Sequence, residues 1–200
     1  MIVLSVAVVV LAAIVVLNLA VTVAVIRRLR EQRNLSPDAA GDDAAMAGGP
    51  DIGAPVPDFT ATTDQGTPMS RADLPDRTLI GFFSTSCSAC TEDAPRFAAA
   101  AQALAENGVA ALSVVQRKRG DDTEELVSAL APGGPVVVEP APGPVLRGWR
   151  VSTTPAYFLV GPAGVVEGKS VVLADVTGPV AETSAPPAAV GAHAGHDGRD

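Results

Sequence analysis

The chain holds two cysteines, and they stand three apart, as Cys87-Ser88-Ala89-Cys90. Two cysteines scattered at random would meet at that spacing about once in a hundred chains of this length, so the pair reads as placed for chemistry. The run Leu79-Ile80-Gly81-Phe82-Phe83 before it is short and apolar and predicts a buried strand. The alanine-rich stretch from Thr91 to Asn107 after it predicts a helix. A cysteine where a strand feeds a helix N-terminus faces unpaired backbone N–H groups and the positive end of the helix dipole, which favour thiolate over thiol. The second cysteine, one turn on, is close enough to attack a mixed disulfide formed by the first. That layout suits thiol–disulfide exchange. Two other readings weigh less. Zinc takes four ligands, whereas no second cysteine pair exists and the only histidines, His193 and His196, lie far along the tail. A purely structural bridge usually closes a longer loop. Neither a metal nor a cofactor is expected.

The elements that must position this pair follow from apolar runs and turn residues. Asp64-Gln65-Gly66-Thr67 predicts a turn between two short strands, and Ser70 to Leu74 a capped helical turn. Val109 to Val115 predicts a second buried strand, Asp121 to Leu130 a helix, and Pro135 to Val138 a brief third strand. Val145 to Arg150 predicts a helical turn carrying Trp149. Ala156 to Val160, the turn Gly161 to Gly164, and Val165 to Gly168 predict a closing hairpin. The order β–α–β–α followed by a hairpin implies an α/β domain with a mixed central sheet flanked by helices.

Val151-Ser152-Thr153-Thr154-Pro155 stands immediately before an apolar strand, where a proline removes no central ladder bond. Taken with the cysteine pair, it makes the chain resemble the thioredoxin superfamily, most of all the membrane-anchored TlpA/ResA/MauD-type thiol-disulfide proteins. The resemblance covers about residues 55–170. It rests on Pro57-Asp58-Phe59, on Phe82 through Cys90, on Pro95 five residues past the second cysteine, and on Trp149 through Pro155 with the hairpin that follows. It implies a thioredoxin-like fold and a thiol-disulfide oxidoreductase with Cys87 and Cys90 as its redox pair. It also implies a cis Thr154–Pro155 bond beside the cysteines, with the Thr154 backbone pairing to an extended substrate segment, and a helix kinked at Pro95. Protein disulfides or dithiols would be the substrates, and a membrane redox protein the partner.

The sequence departs from the family pattern in two places. Ser86 stands where many relatives carry tryptophan, and Gly81 where thioredoxins carry a buried acid. Glu92 or Asp93 is the available substitute, although acids in a first helical turn more often stabilise the helix. Two neighbouring families fit less well. The Asp58-Phe59-Thr60 start also resembles peroxiredoxin-like thiol peroxidases, which need threonine three residues before the reactive cysteine; Ser84 is there. Copper-delivering relatives use a CxxxC pair and a distant histidine within the domain. A tethered, non-catalytic binding module would have no need of both cysteines.

The ends of the chain read differently from its middle. Ile2 to Ile26 is 25 residues without a charge, about 37 Å as a helix, which exceeds the ~30 Å of a bilayer's hydrocarbon core. Arg27-Arg28-Leu29-Arg30 follows, where a cleaved signal peptide would have its small-residue site. Residues 1–26 are therefore expected to be an uncleaved transmembrane anchor, 27–54 a linker, 55–176 the folded domain and 177–200 a disordered tail. Residues 1–35 carry a net charge of +3 and residues 36–200 a net −11. Such an acidic domain has no electrostatic footprint for nucleic acid, and lipid contact falls to residues 2–26 and the arginines beside them. The arginines after the anchor would place the domain in the cytoplasm. The resemblance, and the presence of a dedicated anchor with a long linker, favour the extracytoplasmic side, which is the expectation here. Nothing in Ser88-Ala89 announces an oxidant or a reductant.

Overall fold

The computed structural model describes residues 37–184. The anchor expected over 1–26 lies outside them, and among the described residues no helix is long and apolar enough to cross a membrane. The chain divides between Ala45 and Met46. Helix α1 (Pro37–Ala47) runs up to and just past that boundary, and the description below concerns the unit that begins at Met46.

Two short strands, β1 (Thr60–Thr62) and β2 (Pro68–Ser70), form the first hairpin. Then come β3 (Thr78–Ser84), helix α2 (Ser88–Ala105), β4 (Ala110–Arg117) and helix α3 (Glu124–Leu130). Strand β5 (Val136–Pro140), helix α4 (Pro144–Trp149), the hairpin β6 (Ala156–Gly161) and β7 (Val165–Ser170), and helix α5 (Leu173–Ser184) complete the order. The main sheet runs β5-β4-β3-β6-β7. Strands β3, β4 and β5 are parallel, while β6 is antiparallel to both β3 and β7. This is the thioredoxin-like α/β fold, a mixed sheet with helices on its faces.

Strand alternation sorts the apolar residues into two cores. Leu79 and Phe83 of β3, Val115 of β4, and Tyr157 and Leu159 of β6 face Cys90, Ala94, Phe97, Ala101 and Leu104 of α2. Ile80, Phe82, Leu112, Val114, Phe158 and Val160 face the other way, onto Phe59, Val145 and Trp149. Trp149 is the hub of that second core, with its ring 5.4 Å from both Phe82 and Phe158. The central strands β3 and β6 are buried on both faces, which is why they read as unbroken apolar runs.

The expected domain limits move at both ends. Residues 46–54, expected as linker, pair with the domain. Gly48 bridges Val151, the Gly53 N–H donates to the Val166 carbonyl at 2.8 Å, and the Val166 N–H donates to the Ala54 carbonyl at 3.0 Å. Their Gly/Pro/Asp composition looks like a linker because the contacts are made mainly by backbone, with Ala47 and Asp51 the side chains that join in, which leaves no apolar period. At the other end, α5 runs through residues expected as disordered tail. Leu173 and Val176, three apart on one helix face, pack against the α2 core. Residues 185–200, with both histidines, lie outside the described residues.

Candidate functional site

Cys87 sits three residues beyond the end of β3 and is the N-cap of α2. Its extended backbone (φ −114°, ψ 110°) turns the sulfur toward the first turn, where Sγ accepts a hydrogen bond from the Cys90 N–H at 3.3 Å. Sulfur is here doing what Ser or Asp oxygen does at most helix starts: it satisfies an orphan backbone donor next to the positive end of the dipole. The same Sγ donates to the Thr154 carbonyl at 3.3 Å. The Thr154–Pro155 bond is cis. The structure thus brings together Cys87, Cys90 and the Thr154–Pro155 loop from three separate parts of the chain.

The two cysteines are both free thiols but differ sharply in surroundings. Cys87 is half-buried, whereas Cys90 has no exposed surface. Burial pushes the Cys90 thiol up to about 12, and its hydrogen bond with Cys87 pushes in the same direction. At neutral pH Cys90 is held as a neutral thiol beneath the more accessible sulfur.

The loop entering the site is braced by side chains. The Thr85 hydroxyl donates to Asp121 at 2.7 Å and accepts from the Lys118 N–H at 3.1 Å. The loop containing Lys118 and Arg119 is thereby fixed against the residue two before Cys87. Ser84, at the position where a thiol peroxidase needs threonine, has its hydroxyl 3.1 Å from that of Ser86 and accepts from the Ser86 N–H at 3.3 Å. Its bonds run along the loop and not to the Cys87 sulfur.

At Gly81 the structure explains why no acid is present. A Cβ there would lie 2.6 Å from the Phe83 ring and 2.7 Å from the Phe97 ring. Phe83, Phe97 and Tyr157 close over the position, with centroids 5.3–6.0 Å apart. A carboxylate would have to displace an aromatic cluster.

Of the two acids in the first turns of α2, Glu92 is exposed and Asp93 is not. The buried Tyr157 hydroxyl donates to Asp93 Oδ2 at 3.0 Å, and Arg96 donates to Oδ1 at 2.9 Å. Burial, then the Asp93 charge, raises the Tyr157 phenol well above its ordinary range, with smaller contributions from Cys90 and Cys87. Tyr157 is therefore a neutral donor throughout the physiological range. Nothing in the sequence sets Tyr157 apart, because an aromatic in a buried strand ordinarily signals only core. Pro95 lies inside α2, where it removes one helical N–H donor. Among the described residues no cluster of His, Cys, Asp and Glu is arranged to hold a metal ion.

The fold matches several solved structures. The thioredoxin domain of a thiol-disulfide oxidoreductase from Bacteroides vulgatus superposes with a TM-score of 0.58 at 20% identity, covering 67% of this chain and 98% of that one. A thiol:disulfide interchange protein from Bacteroides sp. gives 0.56 at 20% identity over 66% and 89% of the two chains. A secreted disulfide oxidoreductase from Mycobacterium tuberculosis gives 0.50 at 22% identity over 62% and 95%. At these identities the likeness is one of fold. No curated protein matches the chain. The AhpC/TSA family model matches residues 52–169, more than half of the sequence, and the chain belongs to that family of thioredoxin-like redox enzymes.

Proposed function

We propose that this protein is a thiol–disulfide oxidoreductase of the TlpA/ResA/MauD type that exchanges disulfides with protein substrates. The observation that carries the reading is the asymmetry of the pair: an accessible sulfur capping a helix, and a buried thiol one turn below it whose proton is held up to about pH 12. In the reducing direction, the Cys87 thiolate attacks one sulfur of a substrate disulfide. A Cys87–substrate disulfide forms, and the other substrate sulfur leaves as a thiolate that takes up a proton. Cys90 then loses its proton and attacks the Cys87 sulfur. The mixed disulfide breaks, Cys87–Cys90 forms, and the second substrate thiol departs, so two electrons pass from protein to substrate. The oxidising direction is the same sequence reversed.

Asp93 is the acceptor assigned to the Cys90 proton, because Cys90 and Asp93 are three apart on one helix face and Tyr157, which shares the core of Cys90, hydrogen-bonds Asp93. Thr154 and Pro155 form the surface beside Cys87 that docks an extended substrate segment. Residues 2–26 tether the domain to a membrane, with the domain on the extracytoplasmic side and a membrane redox protein as its electron partner.

Cys90→Ser is expected to accumulate mixed disulfides with substrate proteins on a non-reducing gel, and Cys87→Ser is expected to accumulate none. Equal trapping by both variants, or by neither, overturns the assignment. An alkaline phosphatase fusion after residue 35 is expected to be active; an inactive fusion moves the domain to the cytoplasm.

A further inference from the structure

We infer that residues Met46–Gly49 fence the substrate edge of the cis-proline loop and restrict this enzyme to disulfides presented on a tight turn or near a chain end. This rests on the oxidoreductase reading above and narrows its substrate class.

The loop that leads to Thr154 already has the end of α1 and the two glycines after it bridged to its backbone. Gly48 and Val151 form an antiparallel bridge. The Gly49 N–H donates to the Arg150 carbonyl at 3.0 Å, and the Ser152 N–H donates to the Ala47 carbonyl at 3.1 Å. The Ser152 hydroxyl adds a bond to the Met46 carbonyl at 2.6 Å. The pairing is built for this approach. Gly48 and Gly49 both have positive φ, +68° and +75°. A Cβ on Gly48 would lie 2.6 Å from the Ser152 hydroxyl oxygen and 2.9 Å from both the Arg150 carbonyl oxygen and the Ser152 nitrogen. Only glycine lets the two backbones come this close.

The occupied edge stops two residues short of Thr154. The Thr154 carbonyl faces Cys87, and the Thr154 N–H has no partner among the described residues. An incoming backbone can pair at Thr154. If it continues along the loop, it reaches Ser152, whose N–H already donates to Ala47, and then Arg150, whose carbonyl already accepts from Gly49. A long extended segment must therefore displace residues 46–49 or bend away after one residue. Met46, 58% exposed, marks the outer face of this stop. A disulfide on a short turn meets no such obstacle.

The test compares kcat/KM for three oxidised probes on the full-length reduced protein: a long extended disulfide peptide, a short one with single flanking residues, and glutathione disulfide. Gly48→Val, which cannot keep the bridge, is expected to raise the long-to-short ratio about fivefold, roughly the effect of one or two backbone hydrogen bonds. The change should fall in KM, with the glutathione disulfide rate unchanged. Ser152→Ala, which removes one side-chain bond and no backbone pairing, is expected to raise the ratio about twofold. Thermal unfolding reports whether each variant is folded; if Gly48→Val is not, Ser152→Ala decides. A ratio that stays constant or falls, or a loss shared equally by all three probes, overturns the fence while leaving the oxidoreductase reading intact. A wild-type protein inert toward every disulfide overturns both.

Discussion

Helices α2 and α4 both begin just beyond the C-terminal end of a parallel strand, and their first N–H groups are satisfied in different ways. At α4 the N-cap residue is Gly143, which has no side chain to offer, and the first N–H groups are taken by Glu139 of β5, a buried carboxylate. Its Oε2 accepts from the Val145 N–H at 2.9 Å, and its Oε1 accepts from the Leu146 N–H and from Gln116, both at 3.0 Å. Both oxygens are committed, and the residue is 5% exposed. At α2 the cap is a sulfur, a weak acceptor at 3.3 Å, half-open to solvent and shared with the Thr154 carbonyl. A carboxylate in a closed network holds a helix in place and can do nothing else. A thiol accepting from the first turn of a helix stabilises it less, and its sulfur stays available to a partner.

That contrast is broken most sharply by Cys87→Ser. A serine oxygen is a better N-cap than sulfur, so unfolding in urea should show stability unchanged or slightly raised. Disulfide exchange should fall by more than about a thousandfold, because the proposed nucleophile is gone. Glu139→Ala should do the reverse. It leaves two helix N–H groups and the Gln116 amide without their acceptor in a buried site, at a cost of about 2–3 kcal/mol, while the folded fraction still exchanges disulfides. A large activity loss in folded Glu139→Ala protein would show that α4 belongs to the reaction and not only to the scaffold.

The buried thiol gives a smaller, pH-dependent effect. In the unfolded chain the Cys90 thiol titrates near its ordinary 9.0; in the folded protein burial, then the Cys87 hydrogen bond, push it up to about 12. The native state therefore holds this proton more tightly than the unfolded state does. The resulting stabilisation is complete below about pH 9 and is lost as pH rises toward about 12. The disulfide form has no thiol there to titrate. The stability of the reduced form relative to the oxidised form, measured by urea unfolding in steps from about pH 8 to about pH 11, should decline. A difference that stays constant over that range would mean Cys90 is more accessible than its position indicates.

The parts of the fold that were legible in the sequence are those whose signal is local. Strands β3, β4 and β6 read as apolar runs because both faces of each are buried, and α2 is marked by Ala94, Phe97, Ala101 and Leu104 on one face. The cysteine pair and its strand-to-helix setting were legible for the same reason. Contacts between distant residues were not. Tyr157 and Asp93 are 64 residues apart and Thr85 and Asp121 are 36 apart, and no periodicity links such partners. The pairing of residues 46–49 with 150–152 is harder still, since it is made mainly by backbone and its one sequence trace is a pair of glycines that also suits a linker.

The weakest expected effect tests whether Tyr157 does more than fill the core. Its ring packs on Phe83 and Phe97, and its hydroxyl holds Asp93, three residues past the buried cysteine on the same helix. Tyr157→Phe keeps the ring and removes the hydroxyl, so aromatic packing persists and stability should fall by only about 1 kcal/mol. If Asp93 takes the Cys90 proton, loss of the donor that fixes it should slow the second half of the exchange, in which Cys90 attacks the mixed disulfide. Attack by Cys87 should be unaffected. Stopped-flow measurement of the two steps should show the second slowed about threefold in Tyr157→Phe, consistent with one lost hydrogen bond, and slowed further in Asp93→Asn. Equal slowing of both steps would reduce Tyr157 to a packing residue, and an unchanged second step in Asp93→Asn would leave the Cys90 proton to solvent.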